Sequence, residues 1–129
     1  MGSQQAYTRF SNQETMVIVQ IETIEALANL SEILAVPDID VFFIGPSDLS
    51  QSMGFAGNSQ EPKVMEAIAM AVSRIRKENK IVGMPTSSES APTIISTGIR
   101  YIHAHFPWII GYGGKAFLRK CQIAEEGAE

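Results

Sequence analysis

Four short runs of β-branched and aromatic residues, each followed by a stretch long enough for a helix, constrain this chain more than any other feature. They are Met16 to Ile21 (MVIVQI), Val41 to Ile44 (VFFI), Ile81 to Met84 and Tyr101 to Phe106. Apolar runs of this length suit strands that are covered on both faces. After the first run, Ile24, Leu27, Ala28, Ser31 and Leu34 recur near helical spacing until Pro37, which predicts a helix from Thr23 to Ala35. After the second, Val64, Ile68, Ala71, Val72 and Ile75 form one stripe behind Pro62, a residue tolerated in a first helical turn. Ser90 to Thr97, closed by Gly98, predicts a short helix, and Pro107 to Lys120 a last one weakened by Gly111, Gly113 and Gly114. Strands alternating with helical crossovers mean an α/β fold with a parallel sheet. At 129 residues the chain is too short for a complete (β/α)8 barrel, which takes roughly 250. Four βα units make either a small open doubly wound sheet or half of an eightfold barrel, and periodicity does not choose between them.

A chain of this size buries enough surface to need no disulfide or metal staple. Residues 1–12 are polar and unpatterned and are expected to fray, 13–122 form the folded unit, and 123–129 make an acidic tail. Up to Glu61 one base, Arg9, faces eight carboxylates, a balance of −7, whereas 62–129 carry nine bases and six acids, a balance of +3. An acidic half suits a cation, although solvated carboxylates explain most such imbalances. The net charge of −4 argues against a nucleic-acid partner. Arg74, Arg76, Lys77 and Lys80 read as a solvated helix end, where cations favour the negative pole of the helix dipole. No apolar run spans a bilayer and no secretory pattern opens the chain, so no membrane partner and a cytoplasmic location are expected. The single cysteine, Cys121, forms no internal disulfide, which fits a reducing compartment.

In parallel α/β folds, functional groups gather where the strands end. Glu22 follows the first strand directly, and Asp48 lies four residues beyond Ile44. Each is either a helix cap or half of a two-carboxylate site for a hard dication such as Mg²⁺ or Mn²⁺. Between them, Gly45-Pro46-Ser47-Asp48 is a turn whose backbone N–H groups at Ser47 and Asp48 suit an anion such as a carboxylate. Gln20, on the same strand face as Glu22, is placed to hydrogen-bond a metal-bound water or a ligand oxygen, or else is a packed strand glutamine.

The strings VIVQIET (Val17 to Thr23), Ala26 to Leu30, and IDVFFIGPSDLSQSMGFAGN (Ile39 to Asn58), followed by Pro62, resemble the HpcH/HpaI aldolase family over about residues 13–120. That resemblance implies class II, metal-dependent aldolases that cleave a 4-hydroxy-2-keto acid to pyruvate and an aldehyde. It also implies a partial TIM barrel of the pyruvate/phosphoenolpyruvate-binding type, this chain supplying its last four βα units. The Glu of QxET and the Asp of GPxDLS bind the metal in that family, which maps onto Glu22 and Asp48 and implies Mg²⁺, Mn²⁺ or Co²⁺. The Gly45-Pro46-Ser47-Asp48 turn would hold the carboxylate of a pyruvate-type keto acid. The family's catalytic histidine and arginine come from the first half of the barrel, so no catalytic residue is identified in this chain. A half-barrel is expected to associate with copies of itself or with the missing half, as a truncated product, a fragment of a split enzyme or a dimer. The alternative is a non-catalytic α/β binding or assembly module derived from the aldolase.

Other positions carry weaker signals. His103-Ala104-His105 puts two imidazoles on one strand face, which suits a zinc pair or two histidines lining the rim near Tyr101. It departs from the family, and neither histidine occupies the family's base position. Gly111-Tyr112-Gly113-Gly114-Lys115 lacks phosphate-loop spacing. Phe106, Trp108 and Phe117 read as core or interface aromatics, and Met84-Pro85 as lining the aldehyde side of the pocket.

Overall fold

The structure, a computed structural model, describes residues 3–126. Strands β1 (Ile18–Ile21), β2 (Val41–Ile44), β3 (Ile81–Pro85) and β4 (Tyr101–His103) form one sheet in the order β1-β2-β3-β4, every pair parallel. A doubly wound sheet reverses its strand order at a switch point. Here the order never reverses, which is the arrangement of an arc of a barrel. The helices are α1 (Gln4–Glu14), α2 (Ile24–Ala28), α3 (Leu30–Ala35), α4 (Pro46–Ser52), α5 (Pro62–Lys77), α6 (Ala91–Ser96) and α7 (Phe106–Glu126).

One face of the sheet carries the core. Ile21, Phe42, Ile44 and Val82 are buried against Leu30 and Leu34 of α3, Leu49 of α4, and Ala71, Val72 and Ile75 of α5. Phe42, Ile44, Leu49 and Ile75 reach full burial. Each such side chain contributes about 1.5–3 kcal/mol relative to exposure. The guanidinium of Arg74 donates to the Leu27 carbonyl and to Ser31 Oγ, and that of Arg76 to the Thr97 carbonyl at 2.8 Å, so the basic end of α5 ties α2, α3 and the end of α6 together.

The opposite face is only partly covered, which corrects the expectation of strands covered on both sides: Val41 is buried there, but its row neighbours are not. Ile18, Val41 and Ile81 share one register row, and the two flanking isoleucines keep 40% and 37% of their surface exposed. The next row is Gln20, Phe43, Gly83 and Tyr101. A Cβ at Gly83 would stand 2.8 Å from the Phe43 ring and 3.0 Å from that of Tyr101, so glycine lets the two aromatics meet edge to face across β3 at 6.2 Å.

Several boundaries differ from the sequence reading. The helix expected over Thr23 to Ala35 is two helices broken at Asn29, with Thr23 capping the first by accepting from the Ala26 N–H. The fraying expected at 1–12 gives way to α1, capped by Ser3, although none of its residues is buried. β4 stops at His103, and α7 runs from Phe106 straight through its three glycines to Glu126. Phe106, Trp108 and Phe117 are therefore not core residues: they stand on α7 at 71%, 48% and 67% exposure, because these four units give that helix no surface to pack on. The tail expected at 123–129 is helical as far as Glu126 and beyond it lies outside the described residues. Among the described residues no helix is long and apolar enough to cross a membrane.

Candidate functional site

Glu22 and Asp48 are both freed from capping duty. Thr23, not Glu22, caps α2. The N-cap of α4 is Gly45, which makes no side-chain cap bond, and Asp48 lies in the first turn with its side chain exposed. The helix dipole favours a negative charge there. The N–H groups of Ser47 and Asp48 have no acceptor among the described residues, as expected for the first turn of a helix. Pro46 has no N–H to offer and pre-sets the first helical turn.

The half-buried Glu22 carboxylate sits in a defined place. Gln20 donates from Nε2 to Glu22 Oε2, which fixes one carboxylate oxygen and leaves the other without a hydrogen bond among the described residues. That is the positioning expected of Gln20, applied to a protein carboxylate, with its amide still exposed. A Cβ at Gly45 would lie 3.1 Å from Gln20 Nε2, 3.1 Å from Glu22 Oε2 and 3.2 Å from Glu22 Cβ. A side chain there would push the pair by a few tenths of an ångström, so Gly45 forms the floor beneath the Gln20–Glu22 pair. The ends of β1 and β2 are held together by the Gly45 N–H donating to the Ile21 carbonyl at 3.1 Å. Ser52 Oγ at the end of α4 accepts from the Ile24 N–H at 3.0 Å, which clamps the segment after β1 to the segment after β2.

Among the described residues no group of three or more His, Cys, Asp or Glu side chains is placed to hold a metal ion. The acidic site therefore offers two carboxylates from adjacent strand ends, a donor set that suits a hard cation keeping several waters. Gly45 lets Gln20 and Glu22 pack directly over its backbone, and the Gln20 amide then fixes one Glu22 oxygen at the rim as a hard oxygen donor.

A wide cleft lies elsewhere. A groove of about 1020 Å³ runs between α5 and α6, touching Pro46, Ser47, Ile68, Val72, Ile94 and Trp108 but neither Glu22 nor Asp48. In a barrel the site is a bowl built by many strand ends. With four units present, the acids stand on an open rim instead. Met84 and Pro85 line the α5–α6 groove, and Met84 packs against the buried cluster. Its alternation with Gly83 points it toward the helices, which corrects its placement on the aldehyde side.

The remaining candidates resolve differently. His103 and His105 are exposed and adjacent, with ring centres 4.7 Å apart. Gly111 to Lys115 is helical and forms no anion-binding loop, and Cys121 is an exposed free thiol on α7. What the sequence reading missed is the floor at Gly45. Its signal was a glycine at the strand end opposite Glu22, visible only once the register of β1 and β2 is known.

A parallel arc with strands in sequential order, helices on its outer face and acids at its carboxyl rim is part of a (β/α)8 barrel of the kind that gathers its chemistry at the strand ends. Residues 2–99 match the family model for HpcH/HpaI aldolase/citrate lyase, and the chain belongs to that family. Over 84 residues it is 49% identical to 4-hydroxy-2-oxo-heptane-1,7-dioate aldolase of Salmonella typhimurium, the match covering 65% of this chain and 32% of that enzyme. An HpcH/HpaI aldolase/citrate lyase family protein of Burkholderia cenocepacia J2315 superposes with a TM-score of 0.82 at 25% identity, covering 94% of this chain and 48% of that one. An HpcH/HpaI aldolase of Desulfitobacterium hafniense DCB-2 shares the fold, with a TM-score of 0.72 at 22% identity over 92% of this chain and 48% of its own. The chain thus spans about a third to a half of the length of the relatives it matches.

Proposed function

We propose that this chain supplies the metal- and carboxylate-binding rim of a class II aldolase that cleaves a 4-hydroxy-2-keto acid to pyruvate and an aldehyde. The observation that carries this reading is the Glu22 carboxylate, fixed by Gln20 over the Gly45 floor beside the strand end that leads to Asp48. Glu22 and Asp48 hold a divalent cation, Mg²⁺, Mn²⁺ or Co²⁺, with water completing its shell. When bound, the cation supplies Lewis acidity toward the substrate's keto oxygen. Gln20 orients the Glu22 carboxylate, and the N–H groups of Ser47 and Asp48 donate to the substrate carboxylate at the start of α4. The Ser52 clamp holds the two rim segments in one relative position, so the acids are preorganised before ligand arrives.

Proton transfer to and from the reacting carbon needs a general base, and the charge developing on oxygen needs a cation near it. In this reading those groups belong to further βα units that extend the sheet from its outer strands, β1 and β4, and cover the exposed parts of its open face. That face offers Ile18, Ile81 and two open strand edges, surfaces that favour association.

Calorimetry with Mn²⁺, followed by an assay of pyruvate release from a 4-hydroxy-2-keto acid, tests the proposal. Binding that is lost in both Glu22→Ala and Asp48→Ala is the expected result. Absence of Mn²⁺ and Mg²⁺ binding, or binding indifferent to both substitutions, overturns it. Metal binding with no pyruvate release, even after a first-half fragment is added, would favour a non-catalytic binding module.

A further inference from the structure

The end of β4 holds a group of side chains that the aldolase reading does not use. His103 is the last residue of the strand, and His105 follows one residue later, just before α7. Both side chains are exposed. Their rings lie 4.7 Å apart, centre to centre, with planes inclined by 48°. Each also lies against a second aromatic ring: His103 against Phe43 at 6.0 Å, and His105 against Trp108 at 4.5 Å with an edge-to-face tilt of 73°. Two rings held side by side by separate aromatic neighbours have already given up much of the rotamer freedom that a chelate would otherwise cost.

The ring spacing agrees with a shared cation. With a metal–nitrogen bond of about 2.0–2.1 Å, each imidazole centre stands about 3.2 Å from the metal, and two ligands subtending about 90–110° then have centres about 4.5–5.2 Å apart. The observed 4.7 Å lies inside that interval. Imidazole donors select Zn²⁺, Ni²⁺ and Cu²⁺, whereas carboxylates select Mg²⁺ and Mn²⁺. The pair is also too far from Glu22 to share its ion. Glu22 follows β1 and His103 ends β4, and β2 and β3 lie between them, a path of three strand spacings or about 14 Å along the sheet.

We propose that His103 and His105 form a two-imidazole chelate for a borderline divalent cation of the Zn²⁺ and Ni²⁺ class, with water filling its other positions. The bound ion joins the end of β4 to the start of α7, a helix that otherwise has no buried residue to anchor it among those whose burial is described.

Trp108 is the only tryptophan of the chain and rests on His105, so it reports the site directly. The test is a Ni²⁺ titration of the tag-free full chain carrying Cys121→Ser, to remove the thiol, followed by Trp108 fluorescence and calorimetry, with Zn²⁺ as a competitor. Saturable quenching at one equivalent, reversed by Zn²⁺, is expected. His103→Ala and His105→Ala should each weaken binding about a hundredfold, because a chelate loses the effective concentration of its second arm. Glu22→Ala and Asp48→Ala should leave it unchanged. Because both histidines are exposed, circular dichroism will show the variants folded. Non-saturable quenching, retention of affinity in either histidine variant, or loss of binding in Glu22→Ala or Asp48→Ala overturns the assignment.

Discussion

Gly45→Ala separates the architecture of the acidic rim from the stability of the fold. The backbone at this position has φ −99°, which alanine adopts without strain, so the whole effect comes from the added methyl. That methyl arrives 3.1 Å from Glu22 Oε2 and from Gln20 Nε2, and 3.2 Å from Glu22 Cβ. The two head groups can swing away, but Glu22 Cβ is fixed to its strand, so β1 and β2 must part by a few tenths of an ångström. They do so against the Gly45 N–H bond to the Ile21 carbonyl at 3.1 Å. Overpacking of this kind costs about 1–3 kcal/mol, while replacing glycine restricts the unfolded chain and returns about 0.4–1 kcal/mol. The net loss is therefore about 0–2.5 kcal/mol, which for a chain of this size lowers Tm by up to roughly 10 °C. The consequence for the site is larger in proportion. The Gln20–Glu22 hydrogen bond must shift, and disturbing a partner that orients a metal ligand typically weakens affinity about 10–100-fold. Calorimetric titration with Mn²⁺, together with a thermal melt of the apo chain, measures both numbers. Wild-type Mn²⁺ affinity in a folded Gly45→Ala chain would refute the reasoning that glycine is there to make room for the carboxylate.

Three further outcomes follow from the packing and hydrogen bonds. Gly98 has φ +90°, and a Cβ there would lie 2.5 Å from the Arg76 guanidinium, so Gly98→Ala should cost about 1–3 kcal/mol in urea unfolding; Arg76→Ala should not rescue it, because the backbone strain remains. Phe42→Ala, at a fully buried central position of the sheet, should cost about 3–5 kcal/mol by the same assay, whereas the more conservative Ile44→Val should cost about 0.5–1.5 kcal/mol. The exposed Glu89 carboxylate is held below the usual glutamate range, first by a hydrogen bond from Ser87, then by its own backbone N–H and by Ser88. Its ionised form is thus favoured in the folded state, so its contribution is present above the ordinary glutamate range and lost as acid carries the pH down through the folded-state value. An NMR titration should show the low midpoint and its rise in Ser87→Ala.

Much of this molecule is legible in its sequence because the relevant physics is local. The bounds of β2 follow from four consecutive apolar residues before a Gly-Pro turn, and the buried stripe of α5 follows from helical spacing. Glu22 and Asp48 are identifiable because acids just beyond strand ends fall on the functional rim of any parallel α/β fold. The errors arose where neighbours decide. The split at Asn29 breaks a pattern that reads as one helix, and the three glycines expected to weaken α7 are absorbed in a helix that makes no tight contact at any of them.

By itself the sequence determined the alternation of strands and helices, the apolar stripe that α5 turns toward the sheet, and the acids at the strand ends, since all of these depend on residue type and spacing along the chain. Only the tertiary structure decided between an open sheet and a barrel arc, because strand order and the partly covered face are relations between segments far apart in sequence. It also turned two separate features into arrangements. Gly45 became the floor of the Gln20–Glu22 pair through the β1–β2 register, and the two histidines came within chelating distance where the chain leaves β4. Distances of that kind are set by how strands pair and pack, and no one-dimensional pattern contains them.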